Sequence, residues 1–388
     1  MITKIKNAKL VLENGVIENG HLYIKDGKIL SVMGDDFSFD KEIDAKGLYV
    51  SPGFVDSHVH GGGGYDFMDG GCEPIEKAAL FHLSHGTTSI LATSLACSTG
   101  VLVEFLENLN TVMDSGQVPN LVGAHLEGPY FSLAQSGAQN PDYIIDPNPE
   151  EYEMIIKKGN GRIKKWSFAP ERPGSVEFCK KIVSFGIVPS VGHSNATYQQ
   201  VKECYDAGCR SFTHLYSGMS TITREKGFRI LGVIESAYLL DDIQAEIIAD
   251  GKHLPPELLQ LVCKNIGTDN IALVTDAMRG AGMPDGDSLL GRKDEAMPCI
   301  IEDGVAKFTD KSAFAGSVAT TDRLVRTMVK EAGIPIHLAV KMMTKNPASV
   351  LGLDSKGSLK EGFDADVVFF DENINIKNIL IKGEEIKL

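Results

Sequence analysis

The chain has 388 residues, 43% hydrophobic and 23% charged, with a formal net charge of −14. That length exceeds the ~250–300 residues at which one hydrophobic core stops growing, so one large unit plus a smaller one is expected. The acidic balance, with no long basic block, excludes nucleic acid or an anionic membrane surface as the main partner.

The opening "MITKIKNAKLVLENG" lacks the charged-then-apolar order of a secretory signal, and no window approaches the ~20 apolar residues of a membrane span. A cytoplasmic setting is expected. The seven cysteines (72, 97, 179, 204, 209, 263, 299) are scattered, odd in number and never in a C-x-x-C pair. They are expected to be reduced packing residues rather than a disulfide framework or a thiolate zinc site.

In chain order, the first ~45 residues carry three hairpin signals, Asn14-Gly15, Asn19-Gly20 and Asp26-Gly27, between short β-prone runs. The last ~30 residues again alternate apolar and polar side chains, with a turn at Lys382-Gly383. Together the two ends predict a small discontinuous β-sandwich, 1–48 plus 356–388, around a larger unit spanning 49–355.

The middle has a different rhythm. Apolar runs at 48–55, 87–93, 121–126, 166–170, 187–191, 210–214, 245–249 and 271–275 predict eight strands. Between them lie helical spacings, such as Phe178, Ile182 and Phe185, or Val201, Cys204 and Tyr205, and helix stops at Gly86, Gly186 and Gly208. Eight β/α repeats predict a (β/α)8 TIM-type barrel, whose active site lies at the C-terminal ends of the strands.

Those ends carry chemistry. His58 and His60 follow the first predicted strand, Glu127 the third, His193 the fifth, His214 the sixth and Asp276 the eighth. A lone histidine or carboxylate near a turn is usually just a solvated residue. Five strands delivering such groups to one rim are much harder to dismiss. Residues two apart in extended chain project to one side, so His58 and His60 can reach one ion together. Glycines 61–64 behind them permit close backbone approach, although a flexible glycine loop with two exposed imidazoles is the plainer alternative. Imidazole and carboxylate donors without thiolates suit Zn²⁺ or Fe²⁺, with Mn²⁺ or Co²⁺ as further options. Such an ion polarises a carbonyl and acidifies water. Asp276 is then placed to take a proton from that water and pass it to a leaving nitrogen.

The motifs "PGFVDSHVHG" (52–61), "HLEGPY" (125–130), "VGHSNA" (191–196), "THLYSGMS" (213–220), "IADGKH" (248–253) and "LVTDAMRGAG" (273–282), with the return "KGSLKEGFDADVVFFD" (356–371), occur in that order over essentially the whole chain. They resemble the N-acetylglucosamine-6-phosphate deacetylases of the amidohydrolase superfamily. The resemblance implies that Glu127, His193 and His214 hold the principal metal and that Asp276, also counted in the ligand set, is the catalytic acid/base. It implies that His58 and His60 help bind a second ion bridged by Glu127. It also implies that His253 and Arg224 contact a substrate phosphate, with backbone N–H groups near Ser217 and Gly218 assisting. Arg224 would act across the interface of a homodimer, and an amino sugar phosphate would be the small-molecule partner. Two departures stand out. Gln139 in "GAQNP" replaces a histidine that contacts the acetyl carbonyl, and "LYSGM" replaces the usual "LYNAM". His125 reads as a packing or supporting histidine.

Three alternatives stay open at this point. The substrate could be the galactosamine or mannosamine epimer. Another amidohydrolase chemistry, such as cyclic-amide hydrolysis, would call for a carboxylated lysine ending strand four, but that end reads "FAPE" and Lys164 and Lys165 lie at the other end. A non-catalytic scaffold on the same barrel would be expected to have lost ligands, and all six candidates remain.

Overall fold

The apolar runs of the middle segment become eight parallel strands in a computed structural model, which describes residues 1–34 and 36–387. These are β1 (Phe54–Val59), β2 (Thr87–Ser94), β3 (Leu121–Glu127), β4 (Ile163–Phe168), β5 (Val188–Val191), β6 (Ser211–Phe212), β7 (Gln244–Ile247) and β8 (Ile271–Leu273). Each pairs with its neighbour in sequence, from β1 round to β8. Every residue of β1, β2, β7 and β8 is buried, as parallel strands covered on both faces require.

The seam between β8 and β1 is stitched just beyond the strands. Asp276 N–H donates to His58 O at 2.9 Å, and His60 N–H to Ala277 O at 2.8 Å. Deeper in the seam, Thr275 Oγ1–H donates to Asp56 Oδ2 at 2.6 Å. Burial pushes the Asp56 carboxyl up to about 6, against the opposing effect of its Thr275 hydrogen bonds.

Helices follow the strands in turn: α1 (Glu73–Ser84), α2 (Thr99–Ser115), α3 (Pro149–Lys158), α4 (Ser175–Ser184), α5 (Tyr198–Asp206), α6 (Val233–Leu239), α7 (Pro256–Ile266) and α8 (Thr321–Lys330). The (β/α)8 barrel expected from the repeats is therefore observed. In α4, Phe178 and Ile182 are buried, but Phe185 lies past the helix end and is 58% exposed, so the expected apolar stripe is one residue shorter. Gly86 and Gly186 follow α1 and α4 at φ +94° and +71°, a conformation glycine adopts without a Cβ penalty. Among the described residues no helix is long and apolar enough to cross a membrane.

Both chain ends build one mixed sheet from Ile2–Leu12, Gly15–Lys25, Lys28–Val32, Lys41–Asp44, Tyr49–Pro52, Val367–Phe370, Ile376–Ile381 and Glu384–Glu385. It has its own core, including Ile5, Leu22, Val50, Val367 and Phe369. Asp26-Gly27 and Lys382-Gly383 are tight turns with both residues at positive φ, the geometry that matches strand twist. Asn19-Gly20 is not a turn. It lies inside Gly15–Lys25 where the register slips opposite Ala8, and a Cβ on Gly20 would stand 2.6 Å from Leu10 Cγ. Packing against Leu10 therefore accounts for this glycine.

The run at 48–55, expected as one barrel strand, is divided at Gly53. Tyr49–Pro52 pairs with Val367–Phe370 in the terminal sheet, while β1 begins at Phe54. The terminal sheet thus abuts the start of β1, at the opposite end from His58 and His60. A further antiparallel sheet, Gly286–Leu290, Met297–Glu302 and Val305–Phe308, is inserted between β8 and α8. The sequence patterns did not anticipate it.

Gly53 leaves no room for a side chain, since its Cβ would lie 1.9 Å from the buried Thr88 Oγ1. Gly53→Ala is expected to destabilise the protein by about 1–3 kcal/mol through overpacking. Adding Thr88→Gly, which removes Oγ1, Cγ2 and Cβ together, should make the double variant less destabilised than the two single variants summed, in thermal or urea unfolding, and so recover part of that loss. No recovery in the double variant would show that the clash is not the cause.

Candidate active site

The buried carboxylate of Glu127, the last residue of β3, is the point on which four imidazoles converge. His214 Nε2 is 2.9 Å and His193 Nε2 3.2 Å from its Oε1. His58 Nε2 is 3.4 Å from the same oxygen, and His60 Nε2 is 3.2 Å from Oε2. Asp276 Oδ1 completes the cluster, 3.1 Å from His60 Nε2 and 3.5 Å from His58 Nε2. The structure therefore brings together all six residues found at the predicted strand ends.

Local backbone explains how they meet. His58 and His60 project to one side of the extended run that ends β1, as the H-x-H spacing requires. The glycines behind them are close-packed rather than loose. A Cβ on Gly61 would lie 2.2 Å from Tyr65 O, and one on Gly62 would lie 2.5 Å from the Phe81 ring. His82 of α1 anchors the run by donating from Nε2–H to Gly61 O at 2.9 Å. His193, His214 and Asp276 all have left-handed backbone, at φ +44°, +28° and +48°. Such conformations cost of order 1–3 kcal/mol in non-glycine residues and collect where surrounding structure must aim a functional side chain.

Charge is arranged as tightly as geometry. Burial alone would raise the Glu127 carboxyl, but the surrounding imidazoles, His58 foremost, hold it well below the usual range. Asp276 behaves likewise: burial opposes ionisation, yet His58 and His60 bring it down to about 2. For His60, burial favours the neutral ring, and contacts with Asp276 and Glu127 outweigh it, raising the imidazolium to about 10. His214 is lowered by burial despite Glu127.

Within 4.8 Å, two ligand groups form around one shared carboxylate: His58, His60 and Glu127, and Glu127, His193 and His214. His193 Nδ1 lies 2.9 Å from Gln135 O, which can only accept, so Nδ1 carries the proton and Nε2 is free to bind an ion. The donor set of nitrogen and oxygen, with no thiolate, fits a divalent transition metal.

The cluster opens into a cavity of about 210 Å³ lined also by Gln139, Ser217, Gly218 and His253. Gln139 is committed on both sides: its Oε1 accepts from Ala96 N–H at 2.7 Å and its Nε2 donates to Glu127 Oε2 at 2.7 Å. One N–H of that amide remains for a ligand. Ser217 N–H already donates to His214 O at 3.0 Å, whereas the neighbouring Gly218 N–H donates to no backbone carbonyl among the described residues. His253 is turned by Asp250, whose Oδ2 lies 2.8 Å from its Nδ1. Arg224 does not join these residues. It lies exposed on the hairpin Thr223–Glu225 and Phe228–Ile230, outside the cavity lining.

Several contributors escaped the sequence reading. Asp250 had a visible signal, the Asp-x-x-His spacing that lets a carboxylate reach back to an imidazole. Lys165 and Glu246 had another, as charged residues inside otherwise buried strands. Their ammonium and carboxylate form a buried ion pair beneath the site. Burial opposes ionisation of Glu246, but Lys165 and His58 together more than reverse this and hold the carboxyl at about 2. Leu95, Leu290 and Phe314 complete the cavity wall, and nothing in their local sequence marks them. His125 has the supporting place expected, its Nε2 2.7 Å from Ser167 Oγ and its ring against His58.

A model of the amidohydrolase family matches residues 49–386. The chain belongs to the amidohydrolase family. The resemblance read from the motifs also extends over the full length. An N-acetylglucosamine-6-phosphate deacetylase of Lysinibacillus sphaericus is 32% identical over 386 residues, covering 98% of this chain and 96% of that protein. An N-acetylgalactosamine-6-phosphate deacetylase of Escherichia coli O157:H7 is also 32% identical, covering 98% of each. The solved structure of a mutant N-acetyl-D-glucosamine-6-phosphate deacetylase from Mycobacterium smegmatis, in complex with N-acetyl-D-glucosamine-6-phosphate, superposes with a TM-score of 0.90 at 30% identity, covering 99% of this chain and 98% of that one. This amidohydrolase is accordingly a hydrolase of a metal-dependent family, with a donor set to match.

The raised His60 group has a consequence for the metal-stripped protein. Its pKa is higher folded (about 10) than unfolded (~6.5), so its stabilising contribution is fully present below pH ~6.5 and is lost as pH rises towards 10. In chelator, the thermal midpoint should therefore fall between pH 6.5 and 10 more steeply for the wild type than for His60→Gln. Parallel profiles would show that His60 does not carry this charge.

Proposed function

We propose that this amidohydrolase cleaves the acetamide of N-acetylglucosamine 6-phosphate, giving glucosamine 6-phosphate and acetate. The observation that carries the reading is Glu127 shared by two ligand triads next to Asp276, at the floor of a cavity that also holds His253. Glu127, His193 and His214 would hold one divalent ion, Zn²⁺ or Fe²⁺ by donor type with Mn²⁺ or Co²⁺ as further options, and His58 and His60 with Glu127 a second. When bound, such an ion supplies Lewis acidity towards the acetyl carbonyl and makes water a stronger acid.

The protein's own groups do the rest. Asp276, ionised in the cluster, takes a proton from water as its oxygen bonds to the carbonyl carbon. It then returns that proton to the nitrogen as the C–N bond breaks, so hydroxyl ends on the acetate and hydrogen on the amine. The uncommitted N–H of Gln139 steadies the acetyl oxygen. His253, oriented by Asp250, and Gly218 N–H take the phosphate. Arg224 reaches the same phosphate from a second copy, in a homodimer. Supporting that arrangement, its exposed hairpin carries Phe228 at 75% exposure. Seven unpaired cysteines, six of them buried, support a cytoplasmic setting.

A second reading keeps the chemistry and changes the epimer, because the galactosamine-type relative is as similar as the glucosamine-type one. Cyclic-amide hydrolysis is disfavoured, since Lys165 is spent on Glu246 and does not bridge the triads.

Purified protein should release acetate from N-acetylglucosamine 6-phosphate faster than from the galactosamine and mannosamine epimers or the unphosphorylated sugar. Equal rates with and without phosphate would rule out the phosphate pocket. Asp276→Asn should keep its metal, by elemental analysis, while kcat falls by ~10²–10⁴. An active Asp276→Asn would remove the acid/base role.

A further inference from the structure

Beneath the cluster lies a charged pair that the reaction does not use. Lys165 of β4 and Glu246 of β7 are 1% and 2% exposed, and the ammonium contacts Glu246 Oε1. Ser57 Oγ–H donates to the same oxygen at 2.8 Å, so two donors pin one edge of the carboxylate. The other edge, Oε2, is buried without a hydrogen-bond partner. Facing it at 3.7 Å is His58 Nδ1, also buried and without a partner. A buried carboxylate oxygen can only accept, and an imidazole that binds an ion through Nε2 must carry its proton on Nδ1. A shift of about 1 Å would bring the two to hydrogen-bond distance.

We propose that Glu246, fixed by Lys165 and Ser57, is the positioning carboxylate of His58, holding its Nδ1–H so that Nε2 is aimed, lone pair outward, at Glu127 and the second ion. This rests on the reading in which His58, His60 and Glu127 bind that ion. Carboxylates behind a metal-binding histidine fix its tautomer and raise its basicity. Lys165 supplies the countercharge without which a buried carboxylate here would be too costly to keep ionised. The two triads then differ in kind. His193 of the first is backed by a neutral backbone carbonyl, Gln135 O, while His58 of the second is backed by an anion. Glu246 therefore acts selectively on the second ion.

The test is a Co²⁺ titration of the metal-stripped full-length protein, followed by visible absorption and by metal analysis after dialysis. The wild type is compared with two variants. Glu246→Gln is isosteric, and Lys165→Met/Glu246→Leu removes both charges so that no unpaired ion stays buried. His60→Asn identifies which binding step belongs to the second ion. The wild type should take up two ions, and both variants should bind the second at least ~10-fold more weakly with the first unchanged. If the double variant fails to fold by circular dichroism, Glu246→Gln decides alone. Unchanged second-ion affinity, or equal weakening of both ions, overturns the positioning role. A wild type that takes up fewer than two ions instead overturns the reading of the site on which the role rests.

Discussion

A carboxylate buried at the end of one strand, facing four imidazoles, is the constraint around which this molecule is organised. Glu127 could not remain ionised in the interior alone, because desolvation would push its proton back on. Its charge is sustained by rings that arrive from β1 and from the segments following β5 and β6. Each of those rings in turn needs its backbone held. The left-handed conformations at His193, His214 and Asp276 are kept by closed barrel geometry and by hydrogen bonds such as Asp276 N–H to His58 O. The cluster and the seam thus depend on one another: the link that closes β8 onto β1 also sets Asp276 beside His60.

Much of this was legible in the chain because two periodicities coincide. Strand runs recur regularly, and the residue type at each strand end is chemically distinctive, so the (β/α)8 barrel and all six clustered residues could be named from spacing. What escaped has a physical reason in each case. The break at Gly53 has a local mark in Pro52-Gly53, but that dipeptide sits inside an apolar run that reads as one strand. Only the 1.9 Å approach to Thr88 and the pairing with Val367–Phe370 show that the chain changes sheets there. Asn19-Gly20 has the composition of a turn but serves to let Leu10 pack, a tertiary demand that local sequence cannot express. The inserted sheet at 286–308 follows β8, where the repeat rhythm had already run its course.

Position in the fold also separates the groups that reach the cavity from the one that does not. His253, Gly218 and Gln139 reach the cavity because they follow barrel strands or fold back over them. Arg224 lies on an exposed hairpin outside the cavity lining. An isolated two-stranded hairpin is marginally stable in water. This one carries a single strongly exposed aromatic, Phe228, among the exposed charges of Arg224, Glu225, Lys226 and Arg229.

The departures at Gln139 and Gly218 fit the same logic of spacing. At Gly218 a Cβ would stand 2.8 Å from His193 Nδ1 and 3.1 Å from Gln135 O, the two atoms that set the His193 tautomer. Glycine there keeps the ring and its carbonyl partner at hydrogen-bond distance, while Gln139 ties Glu127 Oε2 to the backbone at Ala96. Both positions therefore bear directly on the Glu127 cluster. An amide at 139 cannot titrate, so it orients Glu127 identically at every pH at which the carboxylate is ionised.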